Sequence, residues 1–444
     1  MKKSLLILLF SIANISLAQQ VDQRAFSLED ALNFAYENNT QMINADRDVQ
    51  AAYAQKWATI ASGLPQISAA GSYQDQIKLP VSLLPAEIFG GEAGTYIPVT
   101  FGQKMNMSAS ATLNQKVFDG SYIVGVQAIK TYIDISGNAL KKTRQEVKKA
   151  VVSAYGNVLL LNESAAIVTK NISNLKENVE EARQLFNQGF VEEEQLEQLQ
   201  ITLSNLESQE RNVKRLQSIS IQLFNVLLGL PLSHQTELLD DLESLAAQNI
   251  LTAKDPIDFE ISKNVDYQIA VNMKEQKRLE LKLERSKYLP TLNAFVNYST
   301  NAFGNEFNFF SSEQNWFDAS VFGLNLNVPI FSSFMKRAYT KKARIAFDQS
   351  QSNLKEAEKK IQLQFEQSKS QFQLAAENYQ TSKENLSLAQ RIENKNSIKY
   401  KEGLISGFDL RQAQLQLYEA QRSYLESMLA VINSKTELET LTEK

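Results

Sequence analysis

The stretch Asn39–Pro65, NTQMINADRDVQAAYAQKWATIASGLP, aligns without a gap with the stretch Asn264–Pro290, NVDYQIAVNMKEQKRLELKLERSKYLP. Further along the chain, Leu185–Arg211 matches Lys399–Leu425 in the same order. The landmarks shared by the two copies include the pairs Asn39 and Asn264, Ala45 and Ala270, Tyr73 and Tyr298, and Gly189 and Gly403. Such an ordered duplication predicts two copies of one structural unit, packed side by side. We place the first copy at residues 19–245 and the second at residues 246–444.

The composition favours long helices. Only 16 of the 444 residues are Gly and 8 are Pro, and the mean hydropathy is negative at −0.29; this profile is unlike that of a mixed α/β enzyme. The formal net charge of −4 leaves no basic footprint for nucleic acid. The absence of Cys excludes disulfides and thiol catalysis.

The first 18 residues predict a secretory signal peptide. Lys2 and Lys3 precede an apolar centre at residues 5–10, and Ser16-Leu17-Ala18 forms a small-x-small cleavage site. The alternative, a membrane anchor, is disfavoured because the apolar stretch is too short to span a bilayer comfortably. No later stretch approaches twenty apolar residues, so we expect no transmembrane helix in the mature chain.

Each copy predicts a helix followed by two strands. The first helix starts at Ser27, with Asp30 at the capping-box position, and stops near Gly63. Apolar residues alternate with polar ones over residues 105–117 and 322–330, over 292–298, and more weakly over 67–73. Strands of about ten residues are long enough to cross a bilayer when tilted. A pair of soluble β-hairpins is the alternative interpretation.

The segments that join these strands differ in character. Residues 79–104 are rich in Pro and Gly and predict an irregular connection. Residues 300–315 carry Phe303, Phe307, Phe309 and Phe310. Aromatic residues at strand ends are typical of an interfacial girdle, and the alternative is a loop that packs on itself.

After each second strand the period becomes helical. From Val158 to Phe186 apolar residues recur every three or four positions, Gly189 interrupts them, and the rhythm resumes at Leu196. The second copy predicts the same helical hairpin over residues 333–442, turning near Gly403. A helix of roughly 65 residues is about 100 Å long. A hairpin of that length needs neighbours along its whole extent.

This arrangement resembles the outer membrane efflux protein family of TolC-like channels. The resemblance covers nearly the whole mature chain and includes SLEDAL at residues 27–32, the Leu-Pro before the first strand of each copy, the Gly-led turns, and LLGLP at residues 227–231. It implies a mainly α fold in a homotrimer. Each chain gives four strands to a shared twelve-stranded β-barrel in the outer-membrane lipid, and the hairpins continue it as a periplasmic α-helical barrel. It implies no cofactor.

The resemblance also implies a periplasmic gate at the hairpin turns. Asp409 occupies the position of a pore-narrowing carboxylate, and Gln412 stands where the family has a second one. Tyr400 matches a linking tyrosine, whose expected partner in the first copy is Gln195. Asp409 is also explained as an acid that complements the dipole at a helix start, and Tyr400 by ordinary hairpin packing. The hairpin tips implied as adaptor-docking points are Gly189, Phe190, Gly403 and Leu404.

The function implied is that of a passive outer-membrane exit duct for efflux or type I secretion. Its partners would be a periplasmic adaptor and an inner-membrane efflux pump or ATP-driven transporter. The competing interpretations are a periplasmic adaptor protein and a coiled-coil scaffold without a pore. Drugs, metal ions, peptides and small proteins all stay open as cargo.

Catalytic patterns are absent from the sequence. The single histidine, His234, lies in a polar link, and no glycine-rich phosphate loop or nucleophile with a matching base is present. We therefore expect that the protein is not an enzyme.

Overall fold

The computed structural model describes residues 24–251 and 259–442, so the predicted signal peptide lies outside the described residues. The helices are α1 (Leu28–Asn38), α2 (Thr40–Ala61), α3 (Gly120–Asn187), α4 (Glu193–Leu228), α5 (Leu242–Leu251), α6 (Val265–Ser286), α7 (Met335–Lys401) and α8 (Gly407–Thr442). The strands are β1 (Arg24–Phe26), β2 (Gln66–Asp75), β3 (Val81–Pro85), β4 (Tyr96–Thr100), β5 (Met105–Asp119), β6 (Thr236–Leu238), β7 (Thr291–Gly304) and β8 (Phe317–Asn327).

The described chain divides into two compact units. The strand unit comprises Ala51–Asp134 and Asn272–Ser352, and the helical unit comprises the rest of the described chain. Each unit takes segments from both predicted copies. The copy boundary at residues 245 and 246 stays a prediction.

The strand unit contains the four predicted long strands as one antiparallel sheet in the order β2-β5-β7-β8. The fourth strand begins at Phe317 and ends at Asn327, whereas the alternation predicted it over residues 322–330. Pro329 explains the earlier end, since proline lacks a ladder donor and restricts the residue before it.

The sheet has one apolar and one polar face. The register aligns Ile67, Leu113, Val296 and Phe322 in one row across all four strands. Ile67 is 75% exposed and Phe322 68%. On the opposite face, hydroxyl and amide groups bond between strands, as in the 2.7 Å contact of Ser72 Oγ with Ser108 Oγ. One face is therefore suited to hydrocarbon and the other to water.

Strand β5 passes directly into helix α3. A β-bulge shifts the register between Lys116 and Phe118, which bends the strand at its end. Asp119 Oδ1 then accepts hydrogen bonds from the backbone N–H groups of Ser121 at 2.8 Å and Tyr122 at 3.3 Å. Asp119, the last residue of β5, is thus also the N-cap of α3.

The two connections at the other end of the sheet are more ordered than the sequence predicted. Residues 79–104 were predicted to be irregular, but they contain the antiparallel pair β3 and β4. In the second connection, Phe307 lies 5.4 Å from the ring of Tyr73. Phe309 is buried beside them, while Phe310 is 79% exposed. Phe307 and Phe309 therefore fit the alternative interpretation, a loop that packs on itself.

The first helix was predicted to run unbroken from Ser27 to Gly63, and this is wrong. The backbone leaves the helical conformation at Asn39, with φ −65° and ψ 131°. Asn39 Oδ1 accepts from the backbone N–H of Gln41 at 2.8 Å, and its Nδ2 donates to the carbonyl of Leu227 at 2.7 Å. The buried amide caps α2 and also holds the end of α4.

Asn264, the counterpart of Asn39 in the second copy, makes the same contacts. Its Oδ1 accepts from the N–H of Asp266 at 3.0 Å, and its Nδ2 donates to the carbonyl of Leu441 at 3.1 Å. The duplicated asparagines therefore perform one structural task twice, each joining the start of a helix to the end of a hairpin.

The helical unit contains a strand pair and a short helix that were not predicted. Strands β1 and β6 pair in parallel, and the short helix α5 follows them. Asp240, just after β6, accepts a hydrogen bond from the N–H of Leu28 at 2.7 Å and lies 2.7 Å from the hydroxyl of buried Tyr155. These contacts fix the start of α1 against α3.

Helix α3 is more apolar than we expected from the sequence. It is the one described helix that is long and apolar enough to cross a membrane. Its apolar side chains Val151, Tyr155 and Val158 are buried in the core of the helical unit. Packing against other helices accounts for this composition.

Candidate functional site

The two helical hairpins end in the same backbone turn. Gly189 and Gly403 adopt positive φ angles of 76° and 71°. The next N–H, of Phe190 or Leu404, donates to the carbonyl five residues earlier at 2.9 Å and 2.8 Å respectively. This is a Schellman motif, in which glycine occupies the left-handed position without steric strain. The Gly-led turns predicted for both tips are thus present.

Apolar side chains are exposed at both tips. Phe190 is 74% exposed and Leu404 is 68% exposed. The structure adds Phe408, which is 58% exposed and which the sequence analysis missed. The guanidinium of Arg411 lies 5.3 Å from the centre of the Phe408 ring. Exposed apolar groups next to a cation are typical of a surface that binds another protein.

A hydrogen bond joins the two hairpins near their tips. Gln195 Nε2, in the first turn of α4, donates to the hydroxyl of Tyr400, near the end of α7, at 2.9 Å. Tyr400 is only 6% exposed, and this burial raises the pKa of its hydroxyl. The sequence paired these two residues through the family resemblance, and the structure brings them together.

Gly407 provides the space for this link. A Cβ atom added at Gly407 would lie 2.7 Å from Cγ of Gln195, which is closer than two carbon atoms normally approach. This role of Gly407 was not predicted from the sequence. Its position in the first turn of α8, where glycine is a poor helix former, was the available signal.

Asp409 forms a capping box at the start of α8. Its Oδ2 accepts hydrogen bonds from Ser406 Oγ at 2.7 Å and from the Ser406 N–H at 3.1 Å. These bonds hold the pKa of the Asp409 carboxyl below its usual value. Both Asp409 and Gln412, one turn later, are exposed. Asp409 therefore bonds with its own helix start and not with the Gln195–Tyr400 pair.

A buried polar group farther along the second hairpin was missed. Gln414 is 2% exposed and its amide bonds to Glu393 of α7. Burial raises the pKa of Glu393, and it raises the pKa of nearby Tyr418 to about 12. Among the described residues, Gln414 Oε1 has no hydrogen-bond partner. The hairpin therefore contains a buried polar group next to the buried apolar residues Leu410, Ala413 and Leu417.

A family model described as outer membrane efflux protein matches residues 31–229 and 268–443. The chain belongs to this family. A comparison with curated protein sequences gives no match. The protein is an outer membrane efflux channel of a Gram-negative bacterium and extends into the periplasm.

Solved structures of outer membrane proteins share the fold of this efflux protein. VceC from Vibrio cholerae is 13% identical with a TM-score of 0.73, and the match covers 94% of this chain and 96% of VceC. The CmeC channel of Campylobacter jejuni is 15% identical with a TM-score of 0.74, covering 94% and 85% of the two chains. The MtrE channel of Neisseria gonorrhoeae, solved in its open state, is 15% identical with a TM-score of 0.70, covering 94% and 88%.

These findings confirm the expected fold class. The channels of the family are trimers in which a β-barrel continues into an α-helical barrel, and the efflux protein described here has their fold. Its long hairpins and four-stranded sheet are the elements of that architecture. Family and fold favour a channel over the two competing interpretations, a periplasmic adaptor and a scaffold without a pore.

Proposed function

We propose that three copies of this efflux protein form the exit duct of a tripartite efflux or type I secretion system. The observation that carries the proposal is the four-stranded sheet, which has an exposed apolar face. Its edge strands β2 and β8 pair with no other strand of the described chain on their outer sides. Such a sheet is suited to a membrane only when another sheet completes it.

Closure of the sheet requires several chains. Hydrocarbon cannot satisfy the N–H and C=O groups of an open strand edge. Four strands are too few to close a barrel, whereas three chains supply twelve. In this arrangement β2 of one protomer pairs with β8 of its partner. The same assembly gives the long helices lateral neighbours.

The gate of the duct is proposed at the turn of the second hairpin. Three copies of the exposed Asp409 would form a ring of carboxylates that attracts cations and impedes anions, with Gln412 one turn farther along. The Gln195–Tyr400 hydrogen bond would tether the second hairpin to the first in the closed state. Opening is then a shift between two packings of the helices.

Energy for transport comes from partners in this proposal. The exposed tips at Gly189, Phe190, Gly403 and Leu404 would dock a periplasmic adaptor. The adaptor couples the duct to an inner-membrane efflux pump or an ATP-driven transporter. The duct itself conducts passively and performs no chemistry.

The trimer is tested by disulfide cross-linking, because the chain has no native Cys. Ala69→Cys in β2 is combined in turn with Asp318→Cys, Ser320→Cys and Phe322→Cys in β8, which lie on the same face of the sheet. One register should give a covalent ladder that ends at the trimer on denaturing gels. The matched control pairs Ala69→Cys with Ser299→Cys in the central strand β7 and should give no ladder. A protein that stays monomeric in every register would refute the proposal.

A further inference from the structure

The first ten residues of α7 form a basic segment. Residues 335–344, MKRAYTKKAR, contain five basic residues and no acidic one. The whole chain has a formal net charge of −4, so this segment stands apart from its surroundings. Its basic residues are Lys336, Arg337, Lys341, Lys342 and Arg344.

The position of these charges is unfavourable for the isolated helix. The N-terminal end of a helix carries the positive end of its dipole, and α7 has no acidic residue in its first turn. Arg337, Lys341 and Arg344 are spaced by four and three residues, so the three exposed cations share one face and repel one another. An anionic partner would offset both costs.

Two cations of helix α6 have such partners within the chain. Lys277 pairs with Glu280 at 2.8 Å, and Arg278 pairs with Glu275 at 2.6 Å. In contrast, no carboxylate among the described residues lies within salt-bridge distance of the basic segment's five cations. Lys336 instead donates to the carbonyl of Lys287 and lies 5.8 Å from the Tyr288 ring. The basic segment is therefore free to bind an external anion.

The basic segment lies near the end of the four-stranded sheet at which the strands connect to their helices. The register places the start of β7 opposite the ends of both β5 and β8, so the strands meet their helices at one end. Exposed aromatic residues surround this end: Phe331 is 76%, Phe334 67%, Tyr339 52% and Tyr288 47% exposed. Aromatic and basic side chains together are typical of the interface between hydrocarbon and water.

We propose that the basic segment binds the headgroups of anionic glycerophospholipids in the periplasmic leaflet of the outer membrane. Basic clusters beside a membrane-spanning element attract anionic lipid electrostatically. Strand β8 ends at Asn327 and α7 begins at Met335, so in this proposal a lipid whose chains lie on the apolar face of the sheet has its phosphate near Arg337, Lys341 and Arg344. The proposal rests on the outer-membrane location and not on any adaptor or pump.

The test replaces the three cations that share one face of α7 with neutral side chains. In the triple variant Arg337→Gln, Lys341→Gln and Arg344→Gln, phosphatidylglycerol binding to the detergent-solubilised protein is measured by native mass spectrometry. Phosphatidylcholine, whose zwitterionic headgroup has no net charge, serves as the comparison. The wild type should prefer phosphatidylglycerol. The variant should lose affinity for it by on the order of tenfold and keep its affinity for phosphatidylcholine.

Two further variants separate lipid binding from general effects. Lys355→Gln, Lys359→Gln and Lys369→Gln remove three exposed charges from the same helix and should leave the preference unchanged. Arg337→Lys with Arg344→Lys keeps the charge and should retain binding. Retained affinity of the triple Gln variant for phosphatidylcholine excludes misfolding as the cause of its loss. An equal loss in the control, or a triple variant that still prefers phosphatidylglycerol, overturns the proposal. A triple variant with unchanged lipid affinity but altered ion selectivity would also overturn the proposal and would place the basic segment in the lumen of the channel.

Discussion

The carboxylate of Asp409 caps its own helix and also presents a negative charge to solvent. It accepts two hydrogen bonds from Ser406, yet the side chain remains exposed. Replacement by Ala would remove both the cap and the charge, whereas Asp409→Asn keeps an acceptor for the cap. We expect Asp409→Asn to lower the cation selectivity of the reconstituted channel, measured as a reversal potential in a salt gradient.

The matched control for Asp409 is Asp30, which forms the same capping box with Ser27 at the start of α1. Ser27 Oγ donates to Asp30 Oδ2 at 2.6 Å. Asp30→Asn removes an equivalent charge from another helix start and should leave selectivity unchanged. Equal effects of the two substitutions would remove Asp409 from the gate.

The selectivity due to Asp409 should also resist acid. The hydrogen bonds from Ser406 lower the pKa of the carboxyl from its usual value of 3.8. A carboxyl with a lowered pKa stays ionised at pH values somewhat below the usual pKa. It loses its charge only as the pH falls through its own, lower pKa. Cation selectivity should therefore persist at pH 4 and decline at lower pH. A decline centred above pH 4 would indicate a different titrating group.

The Gln195–Tyr400 hydrogen bond is expected to hold the closed state. One such bond contributes about 0.5–1.5 kcal/mol, and a trimer contains three. Gln195→Ala should raise the open probability of the channel in single-channel recordings. Tyr400→Phe, which removes only the hydroxyl, should act in the same direction.

Gln198, one turn after Gln195, provides the control for the inter-hairpin bond. Its amide bonds to Glu194 of the same helix at 2.9 Å. Gln198→Ala therefore removes an amide without touching Tyr400 and should leave channel opening unchanged. If Gln195→Ala channels open no more often than Gln198→Ala channels, the bond is structural only.

At the scale of elements, the duplicated asparagines Asn39 and Asn264 connect the two hairpins to the helices that precede the strands. Each buried amide accepts from a helix start and donates to a hairpin end. Either Asn→Ala substitution leaves buried backbone groups unsatisfied and should cost about 1–3 kcal/mol per chain. We expect the heat-dissociation temperature of the oligomer to fall on semi-native gels.

Two other substitutions sharpen the asparagine test. Asn39→Asp keeps the cap for α2 but loses the donor to Leu227, so it should destabilise the protein about as much as Ala does. Asn44→Ala removes an exposed amide from the same helix and should have little effect. Stability that survives Asn39→Asp would show that the cap alone matters.

The strands and hairpins were predictable because their signals are local. Alternation over residues 105–117 predicted β5, and the apolar rhythm before and after Gly189 predicted α3 and α4. The pair β1 and β6 was missed because three-residue strands leave no periodic pattern and depend on contacts between distant residues. The break at Asn39 was missed for a similar reason, since its amide bonds to distant Leu227.

The candidate site was predictable in part. The two glycine turns follow from the sequence because a left-handed position favours Gly. Gln195 and Tyr400 are 205 residues apart, and only the family resemblance paired them. Phe408 was missed because it belongs to the helix start and becomes part of the tip only when the turn folds back. The buried amide of Gln414 was missed because the apolar rhythm that predicted the hairpin identifies only its apolar residues.

At the scale of the whole molecule, the proposed function requires that the tips bind an adaptor while the sheet holds the trimer together. These two tasks involve different residues. Phe190 and Leu404 lie in the helical unit, whereas the four-stranded sheet belongs to the strand unit. Substitutions at the tips should therefore uncouple docking from assembly.

The last prediction concerns the double variant Phe190→Asp with Leu404→Asp. Charged side chains at these exposed apolar positions should weaken adaptor binding strongly, because apolar anchors dominate such interfaces. Co-purification with a co-expressed periplasmic adaptor measures the loss, and gel mobility checks the trimer. Phe310→Asp, at a 79% exposed position of the strand unit, is the matched control. Adaptor capture that survives the double variant would move the docking surface away from the tips.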